Sequence, residues 1–264
     1  KYPKLGGGIN TESTKAGVDF YNSVLDFDKR EDLKEPNGVW DLGTCEASEM
    51  AKLAETTYRD VNIALANQFA KFAETANIDI AKVIAASNSQ PYSHIHQPGI
   101  AVGGHCIPIY PRFYLWNDPQ ATVVRAAREA NAGMPEHAVT LLNSELGSLT
   151  GKKVAVLGIS YRGGVKESAF SGVFPTVAAL KSAGATVLVH DPMYTDEEIK
   201  NLGFEVFKFG MNVDGVILQA DHLEYKELSD KDFPGVKCIV DGRRALNKEK
   251  FTGVTLRVIG APAR

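Results

Sequence analysis

Cysteine is scarce in this chain: Cys45, Cys106 and Cys238 are odd in number, far apart and without Cys-x-x-Cys spacing. That excludes a disulfide framework and gives no zinc pattern, so free thiols in a reducing cytoplasm are expected. No apolar stretch approaches the roughly 20 residues that span a bilayer, and no charged-then-apolar leader opens the chain. The protein is expected to be neither secreted nor membrane-anchored. Net charge is also small, −3, with both signs interspersed, so there is no electrostatic footprint for nucleic acid or an anionic membrane. No internal repeat or low-complexity tract is present. What is there is 264 residues, 44% hydrophobic and 23% charged, enough for a substantial core in one large domain or two ordinary ones. The opening KYPKLGGGIN, with Lys1 in place of Met, reads as a chain entered partway through.

Residues 1–38 are short, turn-rich and mixed, broken at Gly6-Gly7-Gly8 and Pro36-Asn37-Gly38; they read as a connecting edge. From Thr44 the pattern changes. Thr44 can cap a helix with Glu46 and Glu49 in its first turn, and no Gly or Pro follows until Pro91. Leu53, Thr57, Val61, Leu65, Phe69, Phe72 and Ala76 recur every three to four residues, predicting a helix of about thirty residues and then a shorter one near 79–86. So long a helix suits a domain spine or a dimer seam. After a Gly/Pro-rich loop over 91–111, residues 120–147 resume a helical pattern broken at Gly133-Met134-Pro135. From Gly151 the period switches. KKVAVLG, TVLVHDP, VDGVILQA, KCIVDG and TLRVIG are β-branched runs separated by helical or turn segments, which predicts an open, doubly wound parallel sheet with ligands at the carboxyl ends of its strands. Ser171 can cap the helix after the first strand and Gly184 can end it. The fold class is α/β.

The densest chemical signal is AVGGHCIPIYP, residues 101–111. Gly103 and Gly104 permit close approach, Pro108 and Pro111 stiffen the exit, and Cys106 between them is either a positioned thiol or a structural one. A second signal lies on the long helix, where Lys52, Thr56 and Arg59 share one stripe. Two cations and a hydroxyl there could face one anionic site, or belong to a solvated face with Glu49 and Glu55. A third is Gly158-Ile-Ser-Tyr-Arg-Gly-Gly164 after the first C-terminal strand. It is not the Gly-x-Gly-x-x-Gly fingerprint, yet its glycines and Arg162 suit a phosphate. Asp191, closing the next strand, could accept from a ribose hydroxyl or cap the turn with Pro192. His94 and His96 have no third ligand of suitable spacing, so no metal is expected.

The ordered set GGGINTEST, EMAKLAETTYRDVNIALANQ, PGIAVGGHCIPIYP, REANAGMP, VAVLGISYRGG and HDP resembles the UDP-glucose/GDP-mannose dehydrogenase family over nearly the whole chain. The resemblance implies three regions: a remnant of an N-terminal NAD-binding domain and linker over 1–38, a helical central domain over 39–148 that dimerises through the helix of residues 45–76, and a Rossmann-like UDP-binding domain over 149–264. It implies NAD as cofactor, held mainly outside this chain. The implied reaction oxidises the 6-hydroxymethyl group of a UDP-sugar twice. Cys106 matches the cysteine that captures the aldehyde as a thiohemiacetal and carries the thioester that water cleaves, and Lys52 matches the lysine at the reacting oxygen. Arg59, Thr56 and Gly103 fall where the sugar nucleotide is held. Tyr161 and Arg162 fall where the C-terminal domain contacts it, with Arg243 chosen over Arg244 as a further contact.

The His of GGHC resembles the branch that handles UDP-N-acetylglucosamine or UDP-N-acetylmannosamine, with UDP-glucose as the alternative substrate. Thr56 stands where the family has Asn, Tyr110 where it has Asp, and Ala169 and Tyr92 where it has arginines. The NAD fingerprint and the glutamate that assists thioester hydrolysis are missing from these 264 residues, so this piece alone is not expected to catalyse. A non-catalytic, dimerising UDP-binding module is the competing reading.

Overall fold

The computed structural model describes residues 1–262, which divide into two compact units, one over 1–57 and one from residue 58 onward. In the first, β1 (Lys4–Gly8) and β2 (Val39–Thr44) pair in parallel through the crossover helix α1 (Thr11–Val24). Asn10 opens α1 with a capping box: its side chain accepts from Ser13 N at 2.8 Å while Ser13 Oγ accepts from Asn10 N at 3.1 Å. Glycine is required at position 7, because a Cβ there would sit 1.9 Å from the Thr44 carbonyl oxygen. Residues 1–38 are therefore not an irregular edge but most of a βαβ unit. Its strand KLGGG is three-fifths glycine, which removes the side-chain alternation that marks a strand.

Helix α2 runs over Cys45–Thr75, capped at Thr44, whose hydroxyl accepts from Ala47 N at 3.1 Å. From Tyr58 it belongs to the second unit, and there its inward face is made of small residues. Ala64, Ala66, Ala70 and Ala73 are buried, whereas Tyr58, Leu65, Phe69 and Phe72 are exposed, Phe72 by 68%. The large apolar residues that reveal the helix are thus not its core face. Helix α3 (Ile80–Ser87), capped by Asp79, follows, then α4 (Tyr110–Asn117), α5 (Thr122–Ala132) and α6 (Met134–Leu146). Helix α4 falls partly within the stretch expected to be loop. It starts just after Cys106, with Pro111 in its first turn, where no amide donor is needed.

The sheet of the second unit is six-stranded and wholly parallel, in the order β5-β4-β3-β6-β7-β8. Its strands are β3 (Lys153–Leu157), β4 (Thr186–His190), β5 (Glu205–Val206), β6 (Gly215–Leu218), β7 (Cys238–Asp241) and β8 (Thr255–Val258), with α7 (Val173–Ser182) and α8 (Asp196–Asn201) as crossovers. The five expected runs are all strands. Only β5, two residues long, carries too little pattern to be seen. Alternation along β3 builds two cores: Val154 and Val156 pack with Met134, Ala138 and Leu142 of α6, and Ala155 and Leu157 with Phe207, Tyr225 and Phe233. Chain order reverses between β3 and β6, which opens a crevice at their carboxyl ends. Helix α7 ends in a left-handed Gly184 as expected, whereas its N-cap is Gly172, with Ser171 Oγ accepting from Val173 N at 3.2 Å.

Candidate functional site

The segment bearing Cys106 is drawn across the carboxyl ends of the strands by backbone contacts. Ile100, fully buried, donates its N–H to the Gly242 carbonyl at 2.9 Å, and Gly104 N donates to the Ala169 carbonyl at 3.0 Å. A Cβ at Gly103 would meet Tyr161 Cβ at 2.6 Å, and one at Gly104, whose φ is +89°, would press on the Tyr161 ring. Both glycines therefore serve close approach of this loop to Tyr161. Across from them Phe170, a bulky exposed residue, is held at φ +50°. Cys106 is half-buried, and its carbonyl accepts from Ile109 N and Tyr110 N at the entry to α4. His105 turns to Glu167, with Nε2 to Oε2 at 3.2 Å. The Glu167 carboxyl is held below its ordinary value by the Ala169 amide and by His105.

A buried polar network backs this loop. Asp60, fully buried, accepts a two-bond fork from Arg128 (2.6 and 2.7 Å) and a bond from Asn131 (2.7 Å). Asn131 in turn accepts from Asn67, which accepts from Gly99 N at 2.9 Å. Arg128 and Arg112 both donate to the carbonyl of Pro108, two residues beyond Cys106. Burial pushes the Asp60 carboxyl up, against the pull of Arg128 and Asn131. Reading the sequence missed this network. The signal was there in Asp60 and Asn67, seven apart on one face of α2, and in Arg128 and Asn131, three apart on α5.

The loop after β3 brings Tyr161 and Arg162 to the same place. Arg162 Nε donates to Tyr161 Oη at 3.3 Å. Arg243 lies behind them, its Nε donating to the Gln219 carbonyl at 2.7 Å and its Nη2 to the Tyr161 carbonyl at 3.0 Å. Burial pulls the Arg243 guanidinium below its ordinary value, with Asp221 and Asp241 opposing. Arg244, at φ +54°, turns instead to Asp79 at 2.9 Å, so of the two arginines Arg243 is the one at this loop. Gly103, Tyr161, Arg162 and Arg243 thus converge on the carboxyl ends of β3, β6 and β7.

Other expectations resolve differently. Asp191 is not a ribose acceptor: its Oδ2 takes the amides of Ile159 (2.7 Å) and Ser160 (2.9 Å) and its Oδ1 that of Met193 (2.8 Å). Gly163 N is likewise engaged by Asp221 Oδ1 at 2.9 Å, and a Cβ at Gly163 would lie 2.2 Å from the Asp221 carbonyl oxygen. These glycines and amides close the loop inward, so they do not cradle a phosphate or fit a dinucleotide's pyrophosphate. The outward cation is Arg162. Lys52 and Thr56 belong to the first unit, where Lys52 Nζ lies 3.3 Å from Glu55 Oε2 and the fully buried Thr56 donates its hydroxyl to the Lys52 carbonyl at 2.8 Å. Arg59 is exposed on α2 in the second unit. Cys238 is buried within β7, its thiol pushed up to about 12 by burial. Among the described residues no group of three or more His, Cys, Asp or Glu could hold a metal, and no helix is long and apolar enough to cross a membrane.

Family models place this arrangement. The central domain of the UDP-glucose/GDP-mannose dehydrogenase family matches residues 46–133 and the UDP-binding domain of that family matches 155–248. The chain belongs to the UDP-glucose/GDP-mannose dehydrogenase family. Among its relatives, a UDP-N-acetyl-D-mannosamine dehydrogenase of Methanocaldococcus jannaschii is 33% identical over 96% of this chain and 58% of its own length. The solved UDP-D-ManNAc dehydrogenase of Pyrococcus horikoshii superposes with a TM-score of 0.81 at 28% identity, over 98% of this chain and 60% of its own. The UDP-N-acetyl-mannosamine dehydrogenase Cap5O of Staphylococcus aureus gives 0.79 at 30% identity, over 98% and 59%. The chain therefore spans about three-fifths of the length of the relatives it matches.

Proposed function

We propose that this chain is the central and UDP-binding part of an NAD-dependent UDP-sugar 6-dehydrogenase, and that its substrate is UDP-N-acetyl-D-mannosamine. The similarity to UDP-N-acetyl-D-mannosamine dehydrogenases supports that choice of substrate, and the observation that carries the site is the seating of Gly103 and Gly104 on Tyr161. That seating sets the cysteine loop against the side chains of the proposed nucleotide-binding loop, as a reaction on a bound nucleotide sugar requires. Arg162 and Tyr161, backed by Arg243, and Arg59 hold the nucleotide sugar. NAD, which would be held mainly by an N-terminal domain outside this chain, would supply the hydride acceptor for each oxidation. The Cys106 thiolate adds to C6 of the aldehyde, holds the carbon as a thioester after the second oxidation, and leaves as thiolate when water completes the carboxylate. The exposed Tyr58, Leu65, Phe69 and Phe72 of α2 form the seam of a homodimer, and the enzyme works in the cytoplasm.

The test is Cys106→Ala in the intact enzyme. UDP-sugar binding should persist while carboxylate formation stops, followed by NADH release and product mass spectrometry. Uronic acid made at close to the parental rate would mean that the thiol is structural. The isolated 264 residues should bind UDP and not turn over substrate. Calorimetry giving tighter NAD than UDP binding would overturn the domain assignment.

A further inference from the structure

The loop from Gly158 to Gly164 is fastened from behind by two side chains that the proposed reaction leaves unused. Asp191, at the end of β4, and His222, just past β6, flank β3 on either side, and their side chains are 0% and 1% exposed. His222 Nε2 lies 3.1 Å from Asp191 Oδ2, the same oxygen that accepts the amides of Ile159 and Ser160. On its other side His222 Nδ1 accepts from Gly164 N at 3.4 Å. With Nδ1 accepting, the ring proton sits on Nε2 and is donated to Asp191. The dyad thereby ties together the two ends of the loop whose middle carries Tyr161 and Arg162.

A buried carboxylate and imidazole are a weak source of stability, since desolvation offsets their attraction. What such a pair supplies is fixed geometry, because each member accepts or donates in only one arrangement. We infer that Asp191 and His222 are positioning residues for nucleotide binding: the dyad sets the height and orientation of Tyr161 and Arg162 beneath the Gly103–Gly104 turn. The inference rests on the proposal above that these two side chains hold the nucleotide. It makes His222 a specific brace, with two separable bonds, each to a different end of the loop.

The experiment uses this chain without ligand and then with UDP. His222→Asn keeps an acceptor near the Nδ1 position and loses the donor to Asp191, whereas His222→Gln keeps the donor and loses the acceptor for Gly164. Residue-resolved amide exchange should quicken at Ile159 and Ser160, and not at Gly164, in His222→Asn. The reverse should hold in His222→Gln. His222→Phe should quicken all three and weaken UDP binding by calorimetry roughly tenfold or more, as expected when a preorganised contact surface is released. Unchanged exchange in the folded variants, or the same pattern in Asn and Gln, would overturn the brace. A loosened loop with parental UDP affinity would overturn its link to binding. If the parent itself bound no UDP, the nucleotide reading would fall, while the exchange pattern would still decide whether the dyad braces the loop. Should His222→Phe not fold, the Asn and Gln variants carry the same decision.

Discussion

Two buried aspartates anchor the two loops that meet at this site, and they do so in opposite electrostatic settings. Asp60 reaches the Cys106 loop indirectly, through the guanidinium of Arg128 on the Pro108 carbonyl. Asp191 holds the 158–164 loop directly, accepting its backbone amides. For Asp60, burial prevails and the carboxyl sits above its ordinary value. For Asp191, burial pushes up, yet His222 and the amides of Ser160 and Met193 prevail and hold the carboxyl below it. Asp191 is held by donors most of which are fixed in the backbone, with His222 as the ordered side chain among them; a carboxylate facing a long guanidinium depends far more on that guanidinium staying in place. The cysteine loop should therefore fail when a partner is deleted, and the nucleotide loop when acid is added.

Deleting the partner gives the largest effect. Arg128→Met leaves Asp60 buried without its cation and should cost about 3–5 kcal/mol, read as a drop in the urea midpoint. Replacing Asp60 and Arg128 together by apolar residues should cost less than Arg128→Met alone. A double variant no more stable than the single one would mean that the guanidinium acts by packing. Next comes Gly103→Ala. Its Cβ would meet Tyr161 Cβ at 2.6 Å and the Phe170 carbonyl oxygen at 3.0 Å, so one loop must withdraw, at about 1–3 kcal/mol. UDP affinity should fall with it, and unchanged calorimetry would separate the cysteine loop from the nucleotide site.

Acid sharpens the comparison from the other side. The depressed Asp191 contributes stability that is fully present above its unfolded value, about 3.9, and is lost as pH falls through its lower folded value. Glu198, lowered to about 2 by Lys166 and the Thr195 amide, adds in the same sense over the same range. His190, lowered by burial, must charge on unfolding, so its contribution begins to fall below about 6.5. Asp60, being raised, contributes no loss on acidification. Urea midpoints measured from pH 7 to 3 should therefore decline, and Asp191→Asn should flatten the lower part of that decline while Asp60→Asn does not. Equal flattening by both would break the contrast.

The parallel sheet was legible because buried parallel strands read as β-branched runs, and α2 because thirty residues without Gly or Pro leave few alternatives. The site was legible where its chemistry is local in sequence, as in Gly103-Gly104-His105-Cys106. It was not legible where a role depends on distant partners. Asp191 could be a ribose acceptor or a turn cap until the amides of Ile159 and Ser160 were seen to fill it. Residues Asp60, Asn67, Arg128 and Asn131 meet only because α5 crosses α2. Strand β1 was hidden by its own glycines, of which Gly7 serves approach to Thr44 and Gly8 approach to Ser13 and Thr14, not strand propensity.

The smallest effect concerns an ionic link in water between the cysteine loop and the segment just past the 158–164 loop. His105 and Glu167 are 67% and 43% exposed at 3.2 Å, so solvent and salt screen them, and an exposed pair is worth about 0–1 kcal/mol. Glu167 also accepts from the Ala169 amide at 2.8 Å, and that bond is intact whatever residue stands at 105. His105→Ala should therefore leave the urea midpoint within about 0.5 kcal/mol of the parent and make it no more sensitive to salt. Glu167→Ala removes both bonds and should cost more than His105→Ala, by loosening the segment that receives Gly104 N on the Ala169 carbonyl. If the two substitutions cost the same, the exposed imidazole and not the backbone bond would be what steadies that segment, and the contrast between exposed and buried anchors would have to be redrawn.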